Sequence, residues 1–584
     1  MFSFNSLIQK AKRYNKLKES FLSQCLQFIN SHPITLLKEI INTNEQTNLV
    51  SGLSKLYKNN LNKSAENSTE KNVNIKLEWL NEGTNSKILL IKLLLTFYEE
   101  YLIFVASKKQ LPYQLTIKTH FLERLFSEVR SIRLNWTYKD SIYYYSDLKE
   151  KRQLLLKSAG SYYTPNALAD FLIKTSMKQI ERKKDRLIKQ FFSDIDSIIS
   201  EIGVKKSIQL LKHIIAVRAI DITAGTGIFL RSCVRSLIPY INKAASILEG
   251  QLTKLEDRGE DSAEKTLFLQ EMKERFLLVG LRKNNTETNI LRKKLRFIAE
   301  NCIFGLDIDE HSVKACKILL KNWLFEQFGD LQLMKIPFRN IKRKNSVLSY
   351  FRNIEEDVKS HPNEYNNFLD EINEAEGINW FSIYPEVFKH YHPKINELYP
   401  SLRGFDLVVG NPPWEILKAN DREFFRNYDE KFQILSRKKQ DHRKRELLKR
   451  DPKIQQDYDL YCKKIEQQLD LVKKYQLYQH QTSVIRGRKY TGDPQLFKFA
   501  LETFFKIAKQ GGIISVIVQH NFLGSNGCAA LRQLYLKNGQ FNGIWEFYNK
   551  SKNSVFFKNV DLKQRFILFN YKKGNQNQII QYKR

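Results

Sequence analysis

A stiff polar corner follows an apolar run in the stretch FDLVVGNPPWEIL, residues 405–417. The run FDLVVG is typical of a buried strand, and it ends in Asn411, Pro412, Pro413 and Trp414. Two successive prolines fix φ, so the backbone carbonyl of the corner is held in place. An amide oxygen and a held carbonyl can accept hydrogen bonds, and an indole ring offers a flat surface for stacking. Taken alone, the stretch is better explained as a rigid surface turn.

A second candidate site is the stretch AIDITAGTGIFL, residues 219–230. It reads as a strand, then Asp221, then a turn with Gly225 and Gly227, then the apolar start of a helix. Glycines permit a tight turn and close approach of the backbone to a ligand, and a helix start offers free N–H groups. One such turn is weak evidence, because many strand-to-helix turns use glycines.

A third stretch, CIFGLDIDEHSVKACKILL at 302–320, places Asp307 and Asp309 at the end of another apolar run. An acid at a strand tip can bind ribose hydroxyls, and this is the role expected of Asp307. Asp309 is better explained as a helix N-cap. The acids lie well beyond the ~20 residues expected in a dinucleotide fold, and no GxxxxGK[ST] motif is present. With a dinucleotide and a P-loop nucleotide disfavoured, the expected ligand is a nucleoside without a pyrophosphate.

Short apolar runs alternate with helical patterns from about residue 155, which predicts an α/β fold with a parallel sheet. The predicted strands are VRAIDI (217–222), CIFGLDI (302–308), FDLVVG (405–410) and GIISVIV (512–518). Residues 1–150 have helical spacing, and residues 151–584 form the second predicted domain. Two helical insertions are expected in it, at about 235–297 and 415–490. The second contains the basic run SRKKQDHRKRELLKR, which is either a solvated face or a phosphate-binding one.

Composition favours a polyanionic partner, because the 584 residues carry a formal net charge of +33. An AT-rich genome would also enrich Lys, Asn and Ile, so charge alone favours nucleic acid only modestly. The six scattered cysteines form no CxxC pair, which fits a reducing cytoplasm and no zinc site. The most apolar window, residues 91–106, contains two glutamates and is predicted to be a buried helix and not a membrane span.

Four motifs occur in one order: SAGSYYTPNALADFLI (158–173), AIDITAGTGIFL, GLDIDEHSVKACKILL and VVGNPPWEIL. This series resembles the gamma-class N6-adenine DNA methyltransferases of the type IIG restriction–modification kind, from about residue 155 to the end. The resemblance implies a Rossmann-like, S-adenosylmethionine-dependent methyltransferase sheet. It also implies DNA as partner and a role in a restriction–modification system.

The resemblance further implies a set of cofactor-binding residues. These are Tyr163, Thr164, Pro165, Asp221, Gly225, Gly227, Asp307 and Asn345. The first three match a YTP motif that helps to hold the methionine end, the next three match the glycine-rich loop, and Asp307 matches the ribose-binding acid. Asn345 stands where an aspartate is more usual, in the block that contacts the cofactor's adenine.

The corresponding catalytic residues are Asn411, Pro412, Pro413 and Trp414. The oxygen of Asn411 and the carbonyl of Pro412 would each accept one hydrogen of an adenine N6 amine, which frees the nitrogen lone pair for attack on a methyl group. Trp414 would stack on a base flipped out of the duplex. Phe556 and Phe557 could form another wall of that pocket or pack in the core, and His520 is assigned no role.

Several alternatives remain open. The same corner serves cytosine N4 and protein glutamine methylation. A target-recognition domain expected after the last strand block is apparently absent, so the chain could be a partner-dependent or non-catalytic DNA-binding subunit of a split system. A separate specificity or nuclease subunit would then complete it, because no nuclease motif is visible.

Overall fold

The computed structural model describes residues 119, 123, 138–139, 142–143 and 164–583, without 258–261, 276–286, 352–361, 389–391, 400–401, 426–427, 430–431, 433–434, 550–555, 558–561 and 575–581. Tyr163, the window 91–106 and nearly all of the predicted helical region 1–150 lie outside the described residues. Two compact units are present. One comprises Met1–Arg152 and Lys321–Lys335, and the other comprises Gln153–Leu320 and Ile336–Arg584. The boundary near residue 150 stays a prediction.

The strands are short at the chain's start and longest near its end. They are β1 Tyr138–Lys139, β2 Ile142–Tyr143, β3 Ala219–Asp221, β4 Ile303–Asp307, β5 Ile341–Arg343, β6 Ser349–Tyr350, β7 Ile378–Asn379, β8 Phe405–Gly410, β9 Ser483–Ile485, β10 Arg488–Tyr490, β11 Ala508–Gln519, β12 Gly539–Tyr548, β13 Arg565–Lys573 and β14 Tyr582–Lys583. All four strands predicted from apolar runs are present, as β3, β4, β8 and β11.

The helices include several of more than twenty residues. They are α1 Asn166–Ser193, α2 Ile195–Ile202, α3 Val204–Ile215, α4 Ile228–Glu256, α5 Ala263–Arg275, α6 Glu287–Asn301, α7 Glu310–Phe328, α8 Pro362–Glu374, α9 Trp380–Ile383, α10 Pro385–Phe388, α11 Pro393–Leu398, α12 Asp421–Phe425, α13 Arg437–Arg450, α14 Pro452–Lys474, α15 Leu496–Ile507, α16 Asn521–Gly524 and α17 Ala529–Lys537.

One eight-stranded sheet organises the second unit, in the order β14-β12-β13-β11-β8-β3-β4-β5. Strands β11, β8, β3, β4 and β5 are parallel neighbours, whereas β13 runs antiparallel to both β11 and β12. The predicted α/β class with a parallel-dominated, Rossmann-like sheet is therefore confirmed. The chain builds outward from β3 to β5 and then returns to β8 on the other side of β3. Open sheets of this kind bind ligands at such a reversal, beyond the carboxyl ends of the strands.

The central strands are buried on both faces, which is why their sequences are mostly apolar and do not alternate with polar residues. All six residues of β8 are buried. Ile220, Val408 and Ile514, on three adjacent strands, belong to one hydrophobic cluster, and their side chains are fully buried. This core fixes the strand register, and with it the level at which each strand ends.

A buried ionic group lies at the opposite, amino edge of the sheet. Asp406 in β8 is 3% exposed and forms ion pairs with Lys184 of α1, at 3.0 Å, and with Lys509 at the start of β11. Its other oxygen accepts the backbone N–H of Arg218, just before β3, at 2.9 Å. Burial alone would raise the pKa of Asp406, but the two ammonium groups hold that pKa well below its usual range. The group ties helix α1 to three strands.

The segment between the corner and α15 forms a helical pair, α13 and α14, ahead of the hairpin β9–β10. Its own small core includes Phe424, Phe425, Phe432, Leu447 and Ile454. Within the ranges described, no helix is both long and apolar enough to cross a membrane.

Candidate active site

The ends of β3 and β8 bring the two central motifs together. Asp221, the last residue of β3, lies opposite Val409, so the corner begins two residues beyond that level. A Cβ atom added to Gly410 would lie 3.0 Å from Asp221 Oδ1 and 3.3 Å from Thr223 Oγ1. Only glycine allows the strand that leads to Asn411 to pass this close to the glycine-rich loop.

Asp221 is buried and bonded within its own loop. Its Oδ1 accepts the backbone N–H of Thr223 at 2.9 Å and the Thr223 hydroxyl at 3.2 Å. Burial raises the pKa of Asp221 to about 7, although the two bonds from Thr223 act in the opposite direction. Near neutral pH the side chain therefore exchanges between carboxyl and carboxylate, which makes it responsive to any nearby positive charge.

Asp307, at the end of β4, braces the same loop. Its Oδ2 accepts the N–H of Gly225 at 2.8 Å, and its Oδ1 accepts the N–H of Asp309 at 2.9 Å. Asp309 in turn accepts the backbone N–H and the hydroxyl of Ser312 at 3.2 and 2.8 Å. The N-cap expected of Asp309 at the start of α7 is confirmed. Asp307 thus links the end of β4 to the loop that follows β3. The sequence predicted its place at a strand tip but not this link.

The two loop glycines have different tasks. Gly225 has φ +53°, and a Cβ there would find no atom nearer than 3.9 Å, so this side of the loop is open. Gly227 has φ +80°, and its Cβ would lie 2.5 Å from the Cys316 Sγ atom. Gly227 therefore permits close packing of the start of α4 on α7, and Gly225 leaves space for a ligand.

The start of α1 is tied to α4. Arg231 donates to the side-chain oxygen of Asn166 at 2.9 Å, and the Ser232 hydroxyl donates to Asp170 at 2.7 Å. Pro165 is the N-cap residue of α1, and Thr164 before it is buried. These bonds place the end of the YTP motif beside the glycine-rich loop, although the two are more than fifty residues apart in sequence.

Asn411 reaches this same point. Its Nδ2 donates to Thr164 Oγ1 at 3.3 Å. Its Oδ1 is buried and has no hydrogen-bond partner among the described residues. Within that part of the chain no donor bonds the carbonyl of Pro412 either. A buried amide oxygen without a donor is costly, and such an atom is explained by a group that binds there.

Trp414 and Asn345 are both enclosed. Trp414 is 6% exposed, and its ring packs against Phe557 at 5.7 Å and Phe566 at 6.2 Å between centroids. Asn345 is 3% exposed, and its side-chain oxygen accepts the N–H of Val347 at 3.1 Å, which shapes the turn after β5. The base-stacking role of Trp414 and the adenine-contacting role of Asn345 stay predictions.

Phe557 is buried at 2% exposure, and its backbone exchanges two hydrogen bonds with the Asn549 side chain. His520 lies 3.1 Å from Glu546, which also pairs with Arg565. Phe557 and His520 therefore both have contacts that hold the local structure.

Thr223 and Gln519 were not predicted as site residues. Thr223 lies inside the glycine motif, and Gln519, which donates to the Trp414 carbonyl at 3.4 Å, directly follows the last predicted strand.

Asp307 with Gly225, and separately Asp221, fit the polar groups of S-adenosylmethionine. Asp307 accepts two backbone amides, and a carboxylate is also the kind of acceptor that binds ribose hydroxyls. Gly225 leaves open space beside it, and Asp221 can carry a negative charge near an ammonium or sulfonium group. Among the described residues, no group of His, Cys, Asp and Glu could hold a metal ion.

The fold and site define a class, an open α/β sheet with a glycine-rich loop and an amide corner at its carboxyl edge, and the family comparison is more specific. Residues 301–489 match the family described as Eco57I restriction-modification methylase. This segment contains Asp307, Asn345 and the whole NPPW corner. The predicted resemblance to restriction–modification methyltransferases is thereby confirmed for these residues. No curated protein matches the sequence.

Solved structures overlap weakly with the chain. A cryo-EM structure of a DrdV–DNA complex has a TM-score of 0.32 at 11% identity, covering 78% of this chain and 29% of that one. The ATP-dependent Type ISP restriction-modification enzyme LlaBIII bound to DNA has a TM-score of 0.31 at 12% identity, covering 85% and 26%. A putative class I S-adenosylmethionine-dependent methyltransferase from Listeria monocytogenes has a TM-score of 0.27 at 10% identity, covering 84% and 89%. The chain thus spans under a third of the first two proteins.

Proposed function

We propose that the chain transfers a methyl group from S-adenosylmethionine to the N6 amine of an adenine flipped out of duplex DNA. It would do so in the cytoplasm, as the modification part of a restriction–modification system. DNA is the proposed partner, together with a separate specificity or nuclease subunit. The family match and the amide corner support the methyltransferase class, and the finer statement depends on Asn411.

The observation that carries the proposal is the buried, unpartnered Oδ1 of Asn411. Because Nδ2 donates to Thr164, the amide is oriented with its oxygen free to accept. The Pro412 carbonyl is one residue away and is held by two fixed φ angles. An exocyclic amine has two hydrogens to donate, which matches two neighbouring acceptors.

These acceptors would act on the nucleophile. The lone pair of an adenine N6 amine is delocalised into the ring, and two hydrogen bonds at the proper angle draw the nitrogen toward tetrahedral geometry. The lone pair would then attack the methyl carbon in line, the bond from that carbon to sulfur would break with its electron pair left on a neutral thioether, and the nitrogen would lose one proton to solvent. Positioning and preorganised polar groups suffice for this step, with no covalent enzyme intermediate.

The cofactor, when bound, supplies an electrophilic methyl group on a sulfonium. Asp307 would hold the ribose and Gly225 would give the backbone close approach, while Asp221 would favour the positive charge. Thr164 and Pro165 border the same space, and Tyr163, which lies outside the described residues, precedes them in sequence. Asn345 would lie near the adenine of the cofactor.

Entry of a base requires rearrangement around Trp414. The ring is 6% exposed and packs on Phe557, so a stacked base would have to displace a neighbouring ring. Stacking of a base on an aromatic side chain contributes about 1–3 kcal/mol, enough to offset a modest local shift.

Methyl-labelled S-adenosylmethionine and duplex DNA test the proposal directly. We expect the purified chain to place label in N6-methyladenine, identified by chromatography of the digested nucleosides. Asn411→Ala should lower kcat by roughly 10²–10³-fold, the usual cost of one preorganised polar group. Asn420→Ala removes an exposed amide from the same loop, whose oxygen accepts the N–H of Arg422 at 3.1 Å at the start of α12, and should leave the rate unchanged.

Label in N4-methylcytosine, or only in an added translation release factor, would contradict the adenine assignment. Undiminished methylation by Asn411→Ala would contradict the catalytic one. Modified-base sequencing of DNA from cells that express the chain with and without its genomic neighbours shows whether methylation requires a partner subunit. Methylation only in the presence of neighbours would establish a split system.

A further inference from the structure

Helix α13 is anchored through one face. Gln440 and Leu447, seven residues apart, are its buried positions. The Gln440 side chain donates to the carbonyl of Phe432 at 3.0 Å, and Leu447 belongs to the small aromatic core of the insertion.

Two of its cations complete this anchored face. Arg443 forms ion pairs with Asp429 and with Glu446 of the same helix. Lys444 pairs with Asp421 at 3.0 Å, and its ammonium lies 4.4 Å from the centre of the Tyr458 ring. These two cations have evident structural roles.

The remaining cations form no ion pair with an acid in the described part of the chain, and Arg445 donates to the Asp441 carbonyl of its own helix at 3.3 Å. These cations are Arg437, Lys438, Lys439, Arg445, Lys449 and Arg450. All six are exposed. The helix holds eight Lys and Arg residues against two acids, Asp441 and Glu446.

A stripe of these cations lies opposite the anchored face. Lys438, Arg445 and Lys449 occupy positions i, i+7 and i+11, with exposed His442 between them, and this spacing aligns them along one side of a helix. At 1.5 Å per residue the stripe is about 16 Å long. Duplex DNA carries one phosphate charge per ~1.7 Å of its axis, so a stripe of this length faces several phosphates.

The start of α13 opposes helix stability. Arg437, Lys438 and Lys439 form its first turn, where the helix dipole favours anions and disfavours cations by about 0.3–1 kcal/mol each. Only Lys449 and Arg450 are in the last turn, where cations are favourable. The charge distribution is therefore better explained by an external anion than by helix stability.

The chain path connects the proposed site to the insertion that contains this helix. The segment from Asn411 leads directly into α12 and α13, and its root is fixed because Leu417 donates to the Pro494 carbonyl and Leu496 to that of Glu415. The backbone N–H of Asn420 bonds Tyr461 of α14 at 3.2 Å. The insertion thus grows from the carboxyl edge of the sheet, where the substrate would lie.

We propose that the stripe Lys438–Arg445–Lys449 binds the phosphate backbone of duplex DNA without regard to sequence, and so holds the duplex at the methylation site. This inference rests on the proposed function, because it takes the same DNA as substrate. The outer face lacks the large apolar and aromatic residues by which a helix enters a membrane surface.

Salt dependence of DNA binding tests the proposal. The triple variant Lys438→Gln/Arg445→Gln/Lys449→Gln is compared with the wild type by fluorescence anisotropy on a labelled duplex at several KCl concentrations. Each lost phosphate contact lowers the slope of log K against log salt by about 0.9. We expect the slope to fall by about 2–3 and the affinity at ~0.1 M salt to fall roughly tenfold or more.

The matched control removes the same charge elsewhere. Arg182→Gln/Arg186→Gln/Lys189→Gln changes three exposed cations of α1, about 24–35 Å along the helix from Asn166. These positions flank Lys184, which pairs with Asp406 at the amino edge of the sheet. We expect the slope of this variant to match the wild type.

Equal loss in both triple variants would mean a general charge effect and would overturn the proposal, as would an unchanged slope in the α13 variant. The single variant Lys449→Gln, on the exposed end of the helix, should lower the slope by about 0.9 and serves if the triple variant misfolds. Binding is measured without methyl transfer. If the wild type binds and methylates DNA and the α13 variant keeps the wild-type slope, only this inference is contradicted. If the wild type never binds DNA, the proposed function is contradicted too.

Discussion

Nδ2 of Asn411 donates to Oγ1 of Thr164 at 3.3 Å, across 247 residues of sequence. The bond decides which end of the amide faces the site. Thr164 is therefore more than a neighbour of the cofactor space, because it orients the side chain on which the proposed chemistry depends.

Thr164→Val removes this bond at nearly constant volume. We expect kcat for methyl transfer to fall about fivefold, since one hydrogen bond contributes about 1 kcal/mol, and Thr164→Ser to retain most of the rate. Steady-state kinetics with varied S-adenosylmethionine provide the measurement. Thr175→Val on α1, whose hydroxyl bonds the Phe171 carbonyl at 2.8 Å, is the matched control. A raised KM with unchanged kcat would instead indicate a role in cofactor binding alone.

The two glycines of the loop should respond differently to alanine. Gly227→Ala meets Cys316 at 2.5 Å in addition to an unfavourable φ, and should lower the free energy of unfolding by about 2–4 kcal/mol. Gly225→Ala meets only the unfavourable φ and should cost about 1–2 kcal/mol.

Urea unfolding measures both effects. Adding Cys316→Ala to Gly227→Ala should restore part of the lost stability by removing the clash. Equal costs for the two single variants, or no rescue by the second substitution, would show that the contact with Cys316 is unimportant.

The buried Asp221 makes folding stability depend on pH. Its pKa is about 7 in the folded chain, above the unfolded value of about 3.9, so the folded state holds an extra proton between these values. The stability from this group is present below pH 4 and decreases as pH rises to about 7. From pH 5 to 8 the decrease should be about 3 kcal/mol at most.

Asp221→Asn mimics the protonated form and retains an oxygen for Thr223. The difference in unfolding free energy between wild type and variant should therefore grow with pH over this range. Urea titrations at pH 5 and pH 8 measure it. A difference that stays constant would mean that Asp221 is ionised throughout.

The ionic group at the amino edge predicts a large stability effect. Asp406→Asn leaves Lys184 and Lys509 buried without a counter-charge, and loss of one partner from a buried pair costs about 3–5 kcal/mol. Asp185→Asn, which breaks a partly exposed pair with Lys243, should cost at most about 1 kcal/mol. Chemical unfolding of both variants under identical conditions provides the comparison, and similar losses would contradict the importance of burial.

Much of the fold follows from local patterns. Mostly apolar runs of six or seven residues marked β3, β4, β8 and β11, because strands covered on both faces bury nearly all of their side chains. Turn glycines and acids after those runs marked the carboxyl edge. The N-cap at Asp309 could also be expected from its place between a strand tip and a helix.

Other features depend on contacts between distant segments. No local pattern shows that Thr164 orients Asn411, that Asp307 braces the Gly225 loop, or that Trp414 is covered by Phe557 and Phe566. Likewise the basic run 437–450 is uniform in sequence. Only its packing separates Arg443 and Lys444, which pair with acids, from the cations on the exposed face.

The sequence by itself determined the residue types that could do chemistry and the strands that end beside them, because those depend on local preference and apolar patterning. Tertiary structure decided which atoms remain available. Most polar groups at the carboxyl edge are hydrogen-bonded within the fold. The Asn411 oxygen remains available as an acceptor, because the Nδ2 of the same amide donates to Thr164.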